Sequence, residues 1–213
     1  MPQLPPIVLD LDGVVLQTNL LKHRAMLSLF EDCPEQSAIS EYILSNVGVR
    51  RDVKIAHILR TFARGSATDD LGHYLVAYAG KLEQLLRSAP LVPGVEDFLR
   101  SDRSFFLSSS APEPEIELQL RSRGLWSRFE RVFGASKPKA MALSEVHQAS
   151  GSRPVFFGDS PPDLDAAVEA GASFVAVVFE RDNFAGVPVV KLPDFTSAER
   201  VQYCIDAASR AVV

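Results

Sequence analysis

The stretch Ile7-Val8-Leu9-Asp10-Leu11-Asp12-Gly13-Val14 runs from three apolar residues into two aspartates and a glycine. A continuous apolar run of this kind suits a strand buried on both faces, and the glycine behind it marks the turn at which the strand ends. Two carboxylates one residue apart at such a turn can both reach one site above the edge of a sheet. One can stay ionised as nucleophile and metal ligand while its neighbour holds a proton for transfer. A strand end that only solvates a turn would use the same residues, so the rest of the chain has to decide between the two readings.

Beyond this strand the texture becomes helical. Leu20, Leu21, Met26, Leu27, Leu29 and Phe30 form one apolar segment, and Ile55, Ile58, Leu59 and Phe62 a second. A third runs through Leu71, Tyr74, Leu75, Tyr78, Leu82, Leu85 and Leu86 at spacings of three and four, the stripe of a helix packed against other helices. These predict a small helical domain over residues 18–89, inserted into a core made of 1–17 and 90–213. From Pro90 onward strands and helices alternate. Strands are predicted at 104–108, 131–133, 154–158 and 174–178, with a short edge strand at 189–190. Helices are predicted from 93–95 to Leu99 and at 113–123, 139–149 and 162–170, the last closed by Gly171. A capping box at Thr196 to Glu199 announces a final helix. The alternation predicts an α/β fold: a Rossmann-like α/β/α core of three layers around a mostly parallel sheet with right-handed crossovers.

Composition narrows the function classes. The chain has 213 residues, 46% hydrophobic and 23% charged, enough to bury a substantial core. A net charge of −5 gives no basic face for nucleic acid. Cys33 and Cys204 are far apart and read as free thiols of a reducing compartment. No run reaches membrane-spanning length and the N-terminal residues lack the pattern of a secretion signal, so the expectation is a cytoplasmic monomer or homodimer without nucleic-acid or membrane partners. His23, His57, His73 and His147 fall on predicted helices without ligand spacing and read as packing or surface residues.

In such a sheet a ligand belongs at the carboxyl ends of the strands. The first strand delivers Asp10 and Asp12 there, the second Ser108, Ser109 and Ser110, and the fourth Gly158, Asp159 and, one turn later, Asp163. Ser136-Lys137-Pro138-Lys139 leads into a helix between the last two groups. Carboxylates, a hydroxyl and a lysine are therefore expected to converge on one rim from distant positions.

These four clusters, in this order, resemble the motifs of the haloacid dehalogenase superfamily, in its phosphatase branch with a helical cap of the C1 type, similar to phosphoglycolate phosphatases and β-phosphoglucomutases. The match is Asp10-Leu11-Asp12-Gly13, then Ser109 closing Phe105-Phe106-Leu107-Ser108, then Lys139 or Lys137, then Gly158-Asp159-Ser160-Pro161-Pro162-Asp163. Val14 stands where many members have threonine. The resemblance implies a phosphoric monoester hydrolase working through an aspartyl phosphate. Asp10 would be the nucleophile and Asp12 the acid and base. Ser109, Ser110, Lys137 and Lys139 would bind phosphate, and Mg²⁺ would be held around Asp10, Asp12, Asp159 and Asp163. The substrate would be a small phosphorylated metabolite, met in the cap by Arg50 or Arg51. A phosphomutase would share every core residue. A phosphonate hydrolase using Lys22 or Lys54, or a non-catalytic binding module, fits less well. Glu113, Glu115 and Glu117 read as residues that favour a helix N-terminus or meet solvent.

Overall fold

The computed structural model describes residues 4–63 and 71–211. The chain divides into two compact units, one made of 1–17 with 90–213 and the other of Thr18–Ala89.

The first unit is built on a six-stranded parallel sheet. Its strands are β1 (Ile7–Leu9), β2 (Phe105–Ser108), β3 (Arg131–Phe133), β4 (Val155–Gly158), β5 (Ser173–Val177) and β6 (Val190–Leu192). They lie in the order β3-β2-β1-β4-β5-β6. Strands β2, β4 and β5 are buried at every residue, as the unbroken apolar runs predicted, because helices cover both faces. The pleat divides the residues between the faces. Ile7, Leu9, Phe105, Leu107, Val155 and Phe157 pack with Val95 and Leu99, Ile116 and Leu120, and Val201, Cys204 and Ile205. Those partners belong to α5 (Val95–Leu99), α6 (Glu113–Arg121) and α9 (Ala198–Arg210). Val8, Phe106, Phe156 and Phe174 face the other way, onto Ala140, Leu143, Val146, Ala166 and Ala167. These lie on α7 (Lys139–Ser150) and α8 (Pro161–Ala170).

The strand order reverses between β1 and β4: the chain leaves β1 toward β2 and β3, then returns to build β4, β5 and β6 on the opposite side. A crevice opens above the carboxyl ends of strands at such a switch point. Asp10 follows β1 and Asp159 follows β4, and the Asp10 amide donates to the Phe157 carbonyl at 2.9 Å, so both stand beside that crevice.

The second unit holds α1 (Asn19–Leu27), α2 (Gln36–Ser45), α3 (Arg51–Thr61) and α4 (Leu71–Arg87). Met26, Phe30, Ile39, Ile43, Ile55, Ile58, Tyr78, Leu82 and Leu86 form its own apolar cluster. The α4 stripe buries Tyr78, Leu82 and Leu86, as its spacing predicted. Leu20 departs from expectation and is 52% exposed, because α1 turns Ala25 and Met26 inward instead. His23 bonds Ser40 at 2.9 Å and His57 stacks on Tyr42 with ring centroids 4.2 Å apart, both packing roles. Cys33 and Cys204 are free thiols. Among the described residues no helix is long and apolar enough to cross a membrane.

The predicted cap of the last helix is displaced by one residue. Asp194 accepts both the amide and the hydroxyl of Thr196, at 2.9 and 2.6 Å, which removes Thr196 from the cap position. Ser197 caps α9 in its place, accepting from the Arg200 amide at 3.3 Å. A capping box does occur on α8, between Ser160 and Asp163.

Candidate active site

Strand alternation sets where Asp10 points. Val8 faces α7 and α8, so the next residue but one faces the same side, and Asp10 meets the first residue of α7 there. Lys139 Nζ lies 3.0 Å from Asp10 Oδ2 and donates to Asp163 Oδ1 at 2.5 Å. Asp10 Oδ1 accepts the Leu11 amide at 2.7 Å. The loop that follows is tight. Gly13, with φ at 73°, takes the left-handed conformation that a side chain would oppose, and its amide donates to the Leu16 carbonyl at 2.8 Å. Half-buried Asp12 sits in this loop, bridged to Leu16.

Asp163 is fully buried, and both of its oxygens are engaged. Oδ2 accepts the Asp159 and Ser160 amides at 3.2 and 3.1 Å and the Ser160 hydroxyl at 2.6 Å, while Oδ1 takes Lys139. One carboxylate therefore shapes the turn that carries Asp159, caps α8 and seats the lysine. This explains Gly158. A Cβ there would stand 2.4 Å from Asp163 Cβ and 2.8 Å from its Cγ, so the turn closes only without a side chain.

Carboxylate oxygens of Asp10, Asp159 and Asp163 all lie within 4.8 Å of one another, and all three residues are buried. Burial pushes Asp10 up to about 7, against the pull of Lys139; the charges on Asp163 and Asp12 push the same way as burial. Burial would lower Lys139, but Asp10 and then Asp163 outweigh it and hold the ammonium above its ordinary value. Three carboxylates so placed carry more negative charge than that ammonium cancels. Oxygen donors at this spacing fit a hard divalent cation.

The structure separates the two lysines of the Lys-Pro-Lys stretch. Lys137 turns away to an ion pair with Glu145, which also holds Arg131, and lies over the Phe133 ring. Lys139 opens α7 and meets Asp10 and Asp163. Ser109 is buried at the end of β2, and its Oγ accepts the Ala111 amide at 3.1 Å, a role that leaves the hydroxyl proton to donate. Ser110 is exposed beside it, and Ser108 is buried on the strand. Arg50 and Arg51 belong to the other unit. Arg50 is exposed and paired with Asp52 at 3.0 Å, and Arg51 lies over the Tyr78 ring, 5.5 Å from its centroid.

One contact at the site has no motif behind it. Asn183, in the loop after β5, donates to the Asp159 carbonyl at 2.9 Å, and buried Phe184 anchors that loop. A lone asparagine in an irregular segment carries no periodic signal, and only the parallel order of β4 and β5 brings it over.

The family model for haloacid dehalogenase-like hydrolases matches residues 7–177. The chain belongs to this family. No curated protein is a detectable sequence relative of this haloacid dehalogenase-like hydrolase. Solved structures share its fold. A predicted phosphoglycolate phosphatase from Haemophilus somnus 129PT is 18% identical with a TM-score of 0.77, covering 95% of this chain and 99% of its own. Beta-phosphoglucomutase from Clostridium difficile is 15% identical with a TM-score of 0.73, covering 98% and 100%. CbbY from Rhodobacter sphaeroides, in complex with phosphate, is 20% identical with a TM-score of 0.70, covering 92% and 96%.

Proposed function

We propose that this haloacid dehalogenase-like hydrolase is a Mg²⁺-dependent phosphoric monoester hydrolase acting on a small phosphorylated metabolite in the cytoplasm. One observation carries the reading: a buried carboxylate at the end of the central strand, Asp10, meets an ammonium 3.0 Å away and shares a cluster with two further carboxylates. An anionic nucleophile, a cation for phosphoryl oxygens and oxygen donors for a metal are thereby assembled in one place.

In the first step Asp10 attacks phosphorus, the ester P–O bond breaks, and Asp12 gives its proton to the leaving oxygen. In the second, Asp12 takes a proton from water as that water displaces phosphate from Asp10, and the enzyme returns to its starting state. Ser109 and Lys139 hold the transferring oxygens, where charge accumulates. Asp10, Asp159 and the Asp12 carbonyl would hold the cation, with Asp163 fixing the Asp159 turn, and the bound ion offsets the repulsion between these carboxylates and a dianionic phosphate. Residues 18–89 act as the cap that selects the substrate, with Arg50 or Arg51 meeting its anionic or polar part.

The test is phosphate release from an activated aryl phosphate, sugar phosphates, nucleotides and phosphoglycolate, with Mg²⁺ and with EDTA. Mg²⁺-dependent release from at least one ester is expected, and no release from any of them would reject the reading. Product identification separates hydrolysis from transfer to a second hydroxyl, the phosphomutase outcome.

The electrostatics add a second expectation. Asp10 is raised to about 7 from its ordinary 3.8, so the folded protein binds this proton more tightly than the unfolded chain. The resulting stability is complete below 3.8 and is lost as pH rises through 7. The Tm of the metal-free protein should therefore fall between pH 5 and pH 8 more steeply for the wild type than for Asp10→Asn, and Mg²⁺ should restore it most at pH 8. Parallel Tm curves for the two proteins would contradict this.

A further inference from the structure

Glu113 lies outside the four motif clusters. As the exposed first residue of α6 it would be accounted for by the helix N-terminus alone, yet its carboxylate is directed at a different loop. It accepts the Ser136 hydroxyl. The contact is close. A Cβ on Gly134 would stand 2.7 Å from Glu113 Cδ and 2.9 Å from the Ala111 carbonyl. Two backbone bonds run alongside, from the Ser109 amide to the Phe133 carbonyl at 3.0 Å and from the Ala135 amide to the Ala111 carbonyl at 2.9 Å.

The two segments joined in this way are the ones that matter for phosphate. Residues 109–113 carry Ser109, and residues 133–139 end at Lys139. Backbone bonds set their spacing at Ser109 and Ala111, and Glu113 sets it further out, where the second loop turns toward α7. Hydrogen bonds to an ionised acceptor are shorter and stronger than neutral ones, so a carboxylate taking a hydroxyl from the facing loop is an effective tie even at the surface. The Ser136 hydroxyl, aided by the Glu113 amide itself, holds this carboxyl below the usual carboxylate range, which keeps it ionised as an acceptor.

Resting on the phosphoryl-transfer reading above, we propose that Glu113 is a positioning residue: it fixes the Ser109 loop against the loop leading to Lys139, so that hydroxyl and ammonium meet the same transferring phosphoryl group. Glu113 touches neither substrate nor metal. Its effect should appear when the phosphoryl group reaches its five-coordinate geometry, and hardly at all in ground-state binding.

The experiment compares Glu113→Ala, Glu113→Gln and Ser136→Ala with the wild type on an aryl phosphate at saturating Mg²⁺, using orthovanadate as inhibitor. Since a misplacement of about 1 Å can cost on the order of 100-fold, Glu113→Ala should lose about 10- to 100-fold in kcat and weaken orthovanadate inhibition by a similar factor. KM and the Mg²⁺-induced rise in Tm should stay close to wild type. Glu113→Gln keeps a carbonyl oxygen that can accept the Ser136 hydroxyl but loses the charge that strengthens the bond, so it should fall between. Ser136→Ala removes one donor without touching the carboxylate and should show the same kcat and vanadate pattern, weaker; it stands in if Glu113→Ala fails to fold. If the wild type is active while kcat and vanadate inhibition of the folded variants stay within about twofold, or fall only in proportion to folded protein, the positioning role is overturned and the phosphatase reading stands. A wild type that hydrolyses no phosphate ester overturns both.

Discussion

Asp10→Asn is expected to leave a folded protein that turns over an aryl phosphate at least about 10⁴-fold more slowly than the wild type. The substitution keeps the shape of the side chain, and an amide oxygen can still accept from the Leu11 amide, a bond of 2.7 Å in the native protein. An amide nitrogen does not attack phosphorus and cannot carry the covalent intermediate. Acid quenching of the wild type during turnover should give a phosphorylated peptide containing Asp10, and the variant should give none. Turnover of Asp10→Asn within tenfold of wild type would remove Asp10 from the nucleophile's role.

The second large effect belongs to Lys139. Its ammonium stands between Asp10 and Asp163, at 3.0 and 2.5 Å, so Lys139→Met leaves two buried carboxylates without that cation. Breaking a buried pair in this way costs about 3–5 kcal/mol in other proteins, but Asp10 can take up a proton and so limit the damage. The loss of stability should accordingly be smaller at pH 5.5 than at pH 8. Turnover should fall by about 10²–10³, the scale of removing one donor from transition-state oxygens. Lys139→Arg should recover little, because a planar guanidinium does not reproduce a point cation between two carboxylates. Lys137→Met is the control: its ammonium is committed to Glu145, and turnover should stay within about twofold. The reverse pattern, loss at 137 and none at 139, would exchange the two assignments.

The contrast between these lysines shows where the sequence stops being readable. The sheet could be read because its rule is local: apolar runs such as Phe105-Phe106-Leu107 and Val155-Phe156-Phe157 need a cover on both sides, and each polar cluster follows directly on such a run. Lys137 and Lys139 straddle a proline in one loop, and nothing local tells them apart. What separates them is the start of α7, which turns Lys139 toward β1 and leaves Lys137 to reach along the helix to Glu145. The several bonds that Asp163 accepts were legible only as a spacing, because a metal ligand and a helix cap draw on the same residue type. Asn183 left no trace at all, and Glu113 read only as a residue of a helix N-terminus or of the solvent face. Each bonds a segment remote in sequence through a side chain reaching backbone or hydroxyl, and no periodicity encodes such a contact.

The position of β1 in the middle of the sheet has a consequence for how the protein comes into being. Its two neighbours are paired in the registers Ile7↔Phe105 and Ile7↔Val155, so the strand that leads into Asp10 is translated long before either partner exists. During synthesis it must wait, unpaired and apolar, until the ribosome has delivered β2, and its second edge stays open until β4 follows. Pairings this distant along the chain slow folding, and refolding from denaturant should regain helical signal well before it regains a competent Asp10.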